Sequence, residues 1–418
     1  MKILLINPNR YHTPPVPPLA LEYLENAIRL SEHECRICDL CFEDDPAHAL
    51  DTAIDEFTPD IAGLSIRNID TVLFENNIFF LDDFKGYVSQ LKKKGVPLIL
   101  GGAGYTFIPG GILEYLNADY GIEGPGERAL VTALDMLEAG TLDTGTVIDG
   151  WEAGIDPDMP VLRGKSIDLA HYIKKGGLAG FQTQKGCLGH CHYCGEGVGQ
   201  VFHRSPESIV NELNVLAKQE ITDYHLCDAE FNQDLAFCHA FLEHLIEHGP
   251  KISWALYMRT GPYDERLFEL LKKSGAIMLT ISVPTGPDSI ANAGKMIALA
   301  KKYELSVAVD LLLGFPGDTF DSVRADIEQM RSVAPDTVGV NATLRLAPSL
   351  PVTKTIMASK EHREHLAGKI SDNPELILPV FYNHITVEML KEIIGDDPRF
   401  RIEGFERTSN YERLKGSE

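Results

Sequence analysis

The chain has 418 residues, 44 % of them apolar and 24 % charged, and a formal charge of −23. This composition excludes a disordered chain and supplies enough core for two domains. The acidic balance excludes a protein that grips a polyphosphate backbone, and no apolar run reaches the roughly 20 residues of a membrane-spanning helix, so neither nucleic acid nor membrane is an expected partner.

Lys2–Asn7 opens the chain as a buried strand running into a turn at Pro8. Its apolar stretch, Ile3–Ile6, is too short for the core of a signal peptide, so a cytoplasmic protein is expected. Up to residue 145, further strands are predicted at Glu34–Leu40, Ile61–Ile66, Pro97–Gly102 and Asp119–Glu123. Amphipathic helices alternate with them at Leu19–Leu30, Ala47–Phe57, Leu81–Lys94 and Glu127–Glu138. The alternation predicts an α/β domain over residues 1–145, a doubly wound, Rossmann-like parallel sheet with its ligand beyond the carboxyl ends of the strands. Those ends carry Asn7-Pro8-Asn9-Arg10, Ser65-Ile66-Arg67-Asn68, Gly101-Gly102-Ala103-Gly104 and Glu123-Gly124-Pro125-Gly126. Small residues let backbone approach a broad, flat ligand. The first strand is not followed by G-x-G-x-x-G, which disfavours a dinucleotide.

Residues 146–178 lose periodicity and gain Gly, Asp and Pro, the pattern of a linker. A second alternation fills residues 179–350. Its strands are predicted at Gly180–Thr183, Tyr224–Cys227, Ser253–Tyr257, Met278–Val283, Val307–Leu313 and Thr337–Leu344. The helices between them are Pro206–Gln219, capped by Ser205, then Leu235–His248, Glu265–Lys273, Ile290–Tyr303 and Phe320–Val333. Six such units predict a partial (β/α)6 barrel with its chemistry at the carboxyl ends of the strands. Residues 351–418 are expected to form a small α-rich C-terminal segment.

Cys187, Cys191 and Cys194 follow directly on the first barrel strand at spacings of four and three. Thiolates suit an iron–sulfur cluster or zinc. Zinc would need a fourth ligand, for which His190 or His192 is at hand. A cubane held by three cysteines would leave one iron open. A second triplet, Cys35, Cys38 and Cys41, begins on a predicted strand, where steps of three alternate between faces and prevent convergence. Cys227 and Cys238 read as packing residues.

With Tyr193 just before its last cysteine, Cys187-x3-Cys191-x2-Cys194 at the head of a six-unit barrel resembles the radical S-adenosylmethionine (SAM) superfamily. The resemblance implies a [4Fe–4S] cluster on the three cysteines. S-adenosylmethionine (AdoMet) would chelate the open iron and be cleaved reductively to a radical that removes hydrogen. It further implies catalytic roles for Cys187, Cys191, Cys194, Glu230 and Arg259. AdoMet contacts are implied for Tyr193, Asp228, Glu230, Asn232, Ser282, Asp310, Gly314 and Arg345. For Glu230 and Arg259 the alternative is a structural ion pair, and for Ser282 a strand-end cap.

The first domain resembles the cobalamin-binding domain that precedes many such barrels, through Pro17-Pro18-Leu19-Ala20-Leu21-Glu22-Tyr23-Leu24, the Ser65 segment, Gly101-Gly102 and Gly124-Pro125-Gly126-Glu127. This implies cobalamin contacts from Asn7, Ser65, Arg67, Asn68, Gly101, Gly102, Gly104, Glu123, Gly124 and Gly126. The Asp-x-His-x-x-Gly motif that gives cobalt a histidine elsewhere is missing, His12 is misplaced for it, and Arg67 or Asn68 is expected beneath the metal.

Together the resemblances imply a cobalamin-dependent radical SAM C-methyltransferase, using methylcobalamin and an external electron donor such as ferredoxin or flavodoxin. The chain also resembles compact, acidic family members of methane-producing archaea. That implies a protein or peptide substrate, foremost a glutamine of methyl-coenzyme M reductase, read by the C-terminal segment. The alternatives are a tryptophan-like small molecule, a rearrangement or oxidation without methyl transfer, and a non-enzymatic zinc- or cobalamin-binding module.

Overall fold

The computed structural model describes residues 1–161, 163 and 165–403. The chain divides into two compact units, Met1–Thr71 with Ile78–Ala179, and Val72–Asn77 with the chain from Gly180 onward. Among the described residues, no helix is long and apolar enough to cross a membrane.

The first unit runs β1 (Lys2–Asn7), α1 (Leu19–Arg29), β2 (Glu34–Asp39), α2 (Pro46–Phe57), β3 (Ile61–Ser65), α3 (Leu81–Lys93) and β4 (Leu98–Gly101). It continues through α4 (Ala103–Phe107), α5 (Pro109–Leu116), β5 (Tyr120–Glu123), α6 (Glu127–Glu138), β6 (Val147–Asp149), α7 (Gly150–Ala153) and α8 (Leu169–Lys174). The strands make one six-stranded parallel sheet in the order β2-β1-β3-β4-β5-β6. Ile3, Leu4, Leu5 and Ile6 of β1 are all buried, because helices cover both faces of such a sheet. The order reverses between β1 and β3, which places a ligand crevice beyond the carboxyl ends of these strands.

The stretch 146–178, expected as a linker, is instead part of this unit: β6 closes the sheet edge and α8 buries Tyr172. Gly and Pro hid a strand only three residues long. Arg163 is buried and paired with Glu22 of α1, Asn26 donates to the Pro160 carbonyl (2.6 Å), and Ser166 donates to Glu25 (2.5 Å). These contacts account for the polar residues on the inner side of α1. Removing one partner of a buried ion pair strands the other charge. Arg163→Met should therefore cost about 3–5 kcal/mol in denaturant unfolding, and the double variant Arg163→Met, Glu22→Leu should recover most of it. A loss below about 1 kcal/mol in the single variant would show that the pair contributes little.

The second unit begins with β7 (Ala179–Phe181), β8 (Gln184–Cys187), β9 (Gln200–His203), α9 (Pro206–Ala217), β10 (Asp223–Leu226), α10 (Leu235–His248) and β11 (Ser253–Arg259). Then come α11 (Glu265–Lys273), β12 (Ala276–Pro284), α12 (Pro287–Lys302), β13 (Ser306–Leu312), α13 (Phe320–Val333), β14 (Thr337–Asn341) and β15 (Leu344–Arg345). The C-terminal part adds α14 (Pro351–Ala358), α15 (Lys360–Arg363), β16 (Leu366–Gly368), β17 (Val380–Tyr382), α16 (Val387–Ile394) and β18 (Phe400–Ile402). The main sheet has seven strands in the order β18-β14-β13-β12-β11-β10-β7. Ser205 caps α9 and Thr319 caps α13, each accepting from a backbone N–H in the first turn.

The two faces of this sheet differ. Trp254, Leu256, Met258, Leu279, Ile281, Val283, Val307, Val309, Leu311, Val338 and Val340 fill one face and are all buried. The other face starts apolar, with Ala255, Met278 and Ala308, and turns polar toward the carboxyl ends of the strands, where Tyr257, Arg259, Thr280, Ser282 and Asp310 stand beside Gly339. A parallel sheet covered on both sides would be apolar on both. The polar face is therefore the wall of the site.

The C-terminal segment holds more helix than strand, in α14, α15 and α16, and adds short strands to them. β15, β17 and β16 form a three-stranded antiparallel sheet, and β18 returns to pair with β14. Residues 404–418 of that segment lie outside the described residues.

Candidate active site

The thiols sit on a hairpin, β8 paired antiparallel with β9, that projects from the start of the barrel. Cys187 ends β8 and is buried, Cys191 is exposed and Cys194 is half-buried. The sulfurs of Cys187 and Cys191 lie 3.2 and 3.6 Å from the point where a Cβ on Gly189 would stand. Cys187 feels the charge of Cys191, and Cys194 that of both Cys191 and Cys187. Burial pushes the Cys187 thiol up and that of Cys194 to about 11. The N–H groups of Gly189 and Glu196 donate to Cys187 and Cys194 (both 3.3 Å), which favours thiolate. Tyr193 shares a hydrogen bond with Cys191 and packs on Phe315 at 5.0 Å between ring centres.

Side chains of β10 and its following loop hold the hairpin in place. Asp228, buried, accepts from the Thr183 N–H (2.9 Å), the Thr183 hydroxyl and the Gln184 N–H (3.3 Å). Burial still raises its carboxyl to about 6. Gln233 accepts from the Leu188 N–H (2.6 Å) and so fixes the turn between the first two cysteines.

Next to the thiols, Arg259, Ser282, Asp310 and Gly339 pair in register across β11, β12, β13 and β14. In-register parallel strands project partner residues from one face, so these positions form a single row. Glu230, in the loop after β10, reaches this row, with the Ser282 hydroxyl donating to its carboxylate and Arg259 and Asp310 close enough on either side to act on its charge. Burial lifts its carboxyl to about 7. One of its oxygens is buried without a partner. A fixed, dry acceptor with nothing to accept from is a ligand-shaped gap.

In the first unit, the loops after β3 and β4 lie backbone to backbone. Gly102 has φ +104°, and a Cβ there would come within 2.6 Å of the Ile66 carbonyl oxygen. Gly104 meets the backbone of Arg67 and Asn68 in the same way and donates to the Ile66 carbonyl (2.9 Å). This close approach leaves Arg67 and Asn68 exposed at the rim, with Ser65 and Gly101 half-buried beside them. Glu123, Gly124 and Gly126 follow β5 at the same end of the sheet, Glu123 exposed and both glycines half-buried.

A family described as "B12 binding domain" matches residues 13–134, and one described as "Radical SAM superfamily" matches residues 181–330. The chain joins a B12-binding domain to a radical SAM domain. A relative named tryptophan 2-C-methyltransferase, from Streptomyces laurentii, is 23 % identical over 89 % of this chain and 77 % of its own length. Another, cytidylyl-2-hydroxyethylphosphonate methyltransferase from Streptomyces wedmorensis, is 22 % identical over 78 % of this chain and 76 % of its own. Among solved structures, the radical SAM methyltransferase TsrM from Kitasatospora setae, with cobalamin and a [4Fe–4S] cluster bound, superposes with a TM-score of 0.86. It is 23 % identical, over 96 % of this chain and 92 % of that one. The same protein with tryptophan and an AdoMet analogue gives 0.87. This likeness establishes the fold.

The radical SAM domain fits its cofactors. Its hairpin carries three thiols, two of them under backbone N–H donors, and the orphaned Glu230 oxygen lies beside Cys187. Among the described residues, no three Cys, His, Asp or Glu side chains stand close enough to clasp a single ion. Three thiolates around a cubane stand farther apart than those around zinc.

Several expected contacts are otherwise engaged. Asp228 is satisfied by Thr183 and Gln184. Asn232 is fully buried, donates to the Arg259 and Pro262 carbonyls (3.0 and 2.8 Å) and accepts from the Arg259 N–H, so it positions Arg259 instead of facing a ligand. Arg345 donates to the carbonyls of Leu346, Leu376 and Ile377 and ties β15 to the C-terminal segment. Gly314, at φ +77°, is required because a side chain would strike the Ala342 carbonyl.

In the B12-binding domain, Asn7 is turned away from the rim, donating to Asp39 (2.8 Å) and Tyr172 (3.4 Å). His12 is held by the Cys41 carbonyl (2.5 Å) and packs on Phe42. Thr183, Gln184 and Gln233 were not anticipated, since nothing in their spacing marks them.

Proposed function

We propose that this chain is a cobalamin-dependent radical SAM C-methyltransferase that modifies a carbon of a small molecule, an aromatic amino acid of the tryptophan kind. The observation that carries the reading is one chain holding both the three-thiol hairpin beside the orphaned Glu230 oxygen and a B12-binding domain whose rim exposes Arg67 and Asn68. When bound, the cluster supplies an electron to AdoMet and the cobalamin supplies the methyl group.

The protein's part is to hold and orient. Cys187, Cys191 and Cys194 ligate the cluster. Glu230, Arg259, Ser282 and Asp310 receive the polar groups of AdoMet along the barrel wall. Arg67 or Asn68, exposed at the rim of the B12-binding domain, would help to hold the cobalamin. A ferredoxin- or flavodoxin-type protein serves as electron donor. All eight cysteines are free thiols, as a reducing cytoplasm would keep them.

The names of the relatives specify small molecules, and the alternative of a glutamine in methyl-coenzyme M reductase has no comparable support. The test is to incubate the anaerobically reconstituted chain with methyl-labelled AdoMet, methylcobalamin, reductant and L-tryptophan. The labelled methyl should appear on a carbon of the indole amino acid by mass spectrometry. AdoMet consumption without a methylated product would contradict methyl transfer. A label on added methyl-coenzyme M reductase peptides, with none on tryptophan, would restore the protein-substrate alternative.

A further inference from the structure

Tyr105, on α4, stands one position beyond the Gly101–Gly104 stretch, and its side chain is wholly buried. The helix is tied to the loops on both sides of it. The Tyr105 N–H donates to the Ile66 carbonyl after β3 (3.3 Å), and the Thr106 hydroxyl accepts from the Gly124 N–H after β5 (2.9 Å). The Tyr105 ring reaches β5 at Gly121, which pairs with Leu100 of β4 and Val147 of β6. A Cβ at residue 121 would collide with the hydroxyl and lie 2.6 Å from the ring carbon that carries it. The glycine makes room for the hydroxyl, yet among the described residues this buried group has no hydrogen-bond partner. Burial, reinforced by the charge of Glu123, makes it harder to ionise, so it remains a donor.

A donor kept dry and unpaired destabilises the fold unless a ligand brings the acceptor. We propose that Tyr105 is a cofactor-binding residue whose hydroxyl donates to the nucleotide arm of cobalamin, an inference that rests on the cobalamin reading above. The surroundings fit that group. Gly102 and Gly104 bring the loops after β3 and β4 together without side chains between them, and Tyr105 follows directly. Residues two apart on a strand share a face, so Glu123, exposed at the rim, marks the edge of the face on which the hydroxyl lies one layer deeper. A corrin ring is broad and flat and belongs on the rim, and its fringing amides are short. The nucleotide arm is the part of the cofactor both narrow and long enough to bring an acceptor to a hydroxyl closed off from solvent.

The test uses the full chain with its cluster reconstituted. Equilibrium dialysis, read by corrinoid absorbance, measures binding of methylcobalamin and of methylcobinamide, which keeps the ring and its amides and lacks the nucleotide. Wild type should bind methylcobalamin more tightly. Tyr105→Phe keeps the ring and removes the donor, and Gly121→Ala drives the hydroxyl from its place. Both should weaken methylcobalamin binding about tenfold and leave methylcobinamide unchanged, a tenfold change being the loss of one buried hydrogen bond. The denaturant midpoint of the cofactor-free Tyr105→Phe protein should also move up, because phenylalanine buries no unpaired donor.

Equal weakening of both corrinoids by Tyr105→Phe, or no weakening, would overturn the proposal. So would a midpoint that falls, since the hydroxyl would then already have a partner in the cofactor-free protein. Wild-type protein that binds methylcobinamide as tightly as methylcobalamin would overturn the assignment to the nucleotide arm. Wild-type protein that binds neither corrinoid would overturn the cobalamin reading instead. Iron content and circular dichroism confirm that each variant has folded and loaded its cluster.

Discussion

Alanine at any one of Cys187, Cys191 or Cys194 is expected to abolish AdoMet cleavage and leave the reconstituted protein without its four irons. The loss should be complete because three ligands are the minimum that holds a cubane while leaving one iron open, so two cannot substitute for three. The three positions differ in exposure, with Cys191 exposed and Cys187 buried, but each is needed. The other triplet provides the control. Burial pushes Cys35, Cys38 and Cys41 up to about 11, 12 and 11, and Cys41 hydrogen-bonds Tyr172 within the first unit. Alanine at Cys38 should therefore cost some packing and retain the full iron content. Iron and sulfide assays on the four single variants decide the matter, and a Cys191→Ala protein that still cleaves AdoMet would contradict the assignment.

Glu230→Gln should stabilise the cofactor-free protein at alkaline pH while weakening its grip on AdoMet. Burial raises the Glu230 carboxyl from 4.5 to about 7, against the Ser282 hydroxyl and Arg259, which both favour the charge. The folded protein thus holds this proton more tightly than the unfolded chain. Stability contributed by the protonated group is full below about 4.5 and is lost as pH rises through about 7. The cost of ionisation in the folded state is about 3 kcal/mol, taking roughly 1.4 kcal/mol for each tenfold change in proton affinity. Glutamine cannot ionise, so the variant should gain up to about that amount at pH 8 and little at pH 4.5. Denaturant titrations at the two pH values measure the gain, and calorimetry with AdoMet measures the loss of affinity. Equal stability of variant and wild type at pH 8 would show that Glu230 is not strained by its burial.

Much of this molecule could be read directly from local pattern. β1 announces itself because four consecutive apolar residues are buried on both faces, and the three-thiol loop because its spacing is a local property of the chain. What escaped reading was decided by distant residues. β6 and β18 are three-residue edge strands whose pairing lies in the sheet and not in their own composition. α4 and α5 arise where Gly102 and Pro109 start short helices in a glycine-rich stretch that reads as loop.

Polar residues at strand ends posed the same difficulty. Asp228, Asn232 and Arg345 have the chemistry to hold a ligand, but backbone groups from other elements reach them first. Glu230 stands out in the sequence as a candidate, yet its orphaned oxygen could be seen only once Ser282 and Arg259 were in place around it. Glu403 was invisible for a related reason: the place of its side chain over Gly339 depends on a residue 64 positions earlier in the chain.

The claim on which all else depends is that three thiols hold a cubane whose open iron meets AdoMet beside Glu230. Electron paramagnetic resonance of the anaerobically reconstituted, dithionite-reduced chain tests this most directly. The account predicts a [4Fe–4S] signal whose g-values shift when AdoMet is added. A signal indifferent to AdoMet, or protein that takes up no iron, would contradict it.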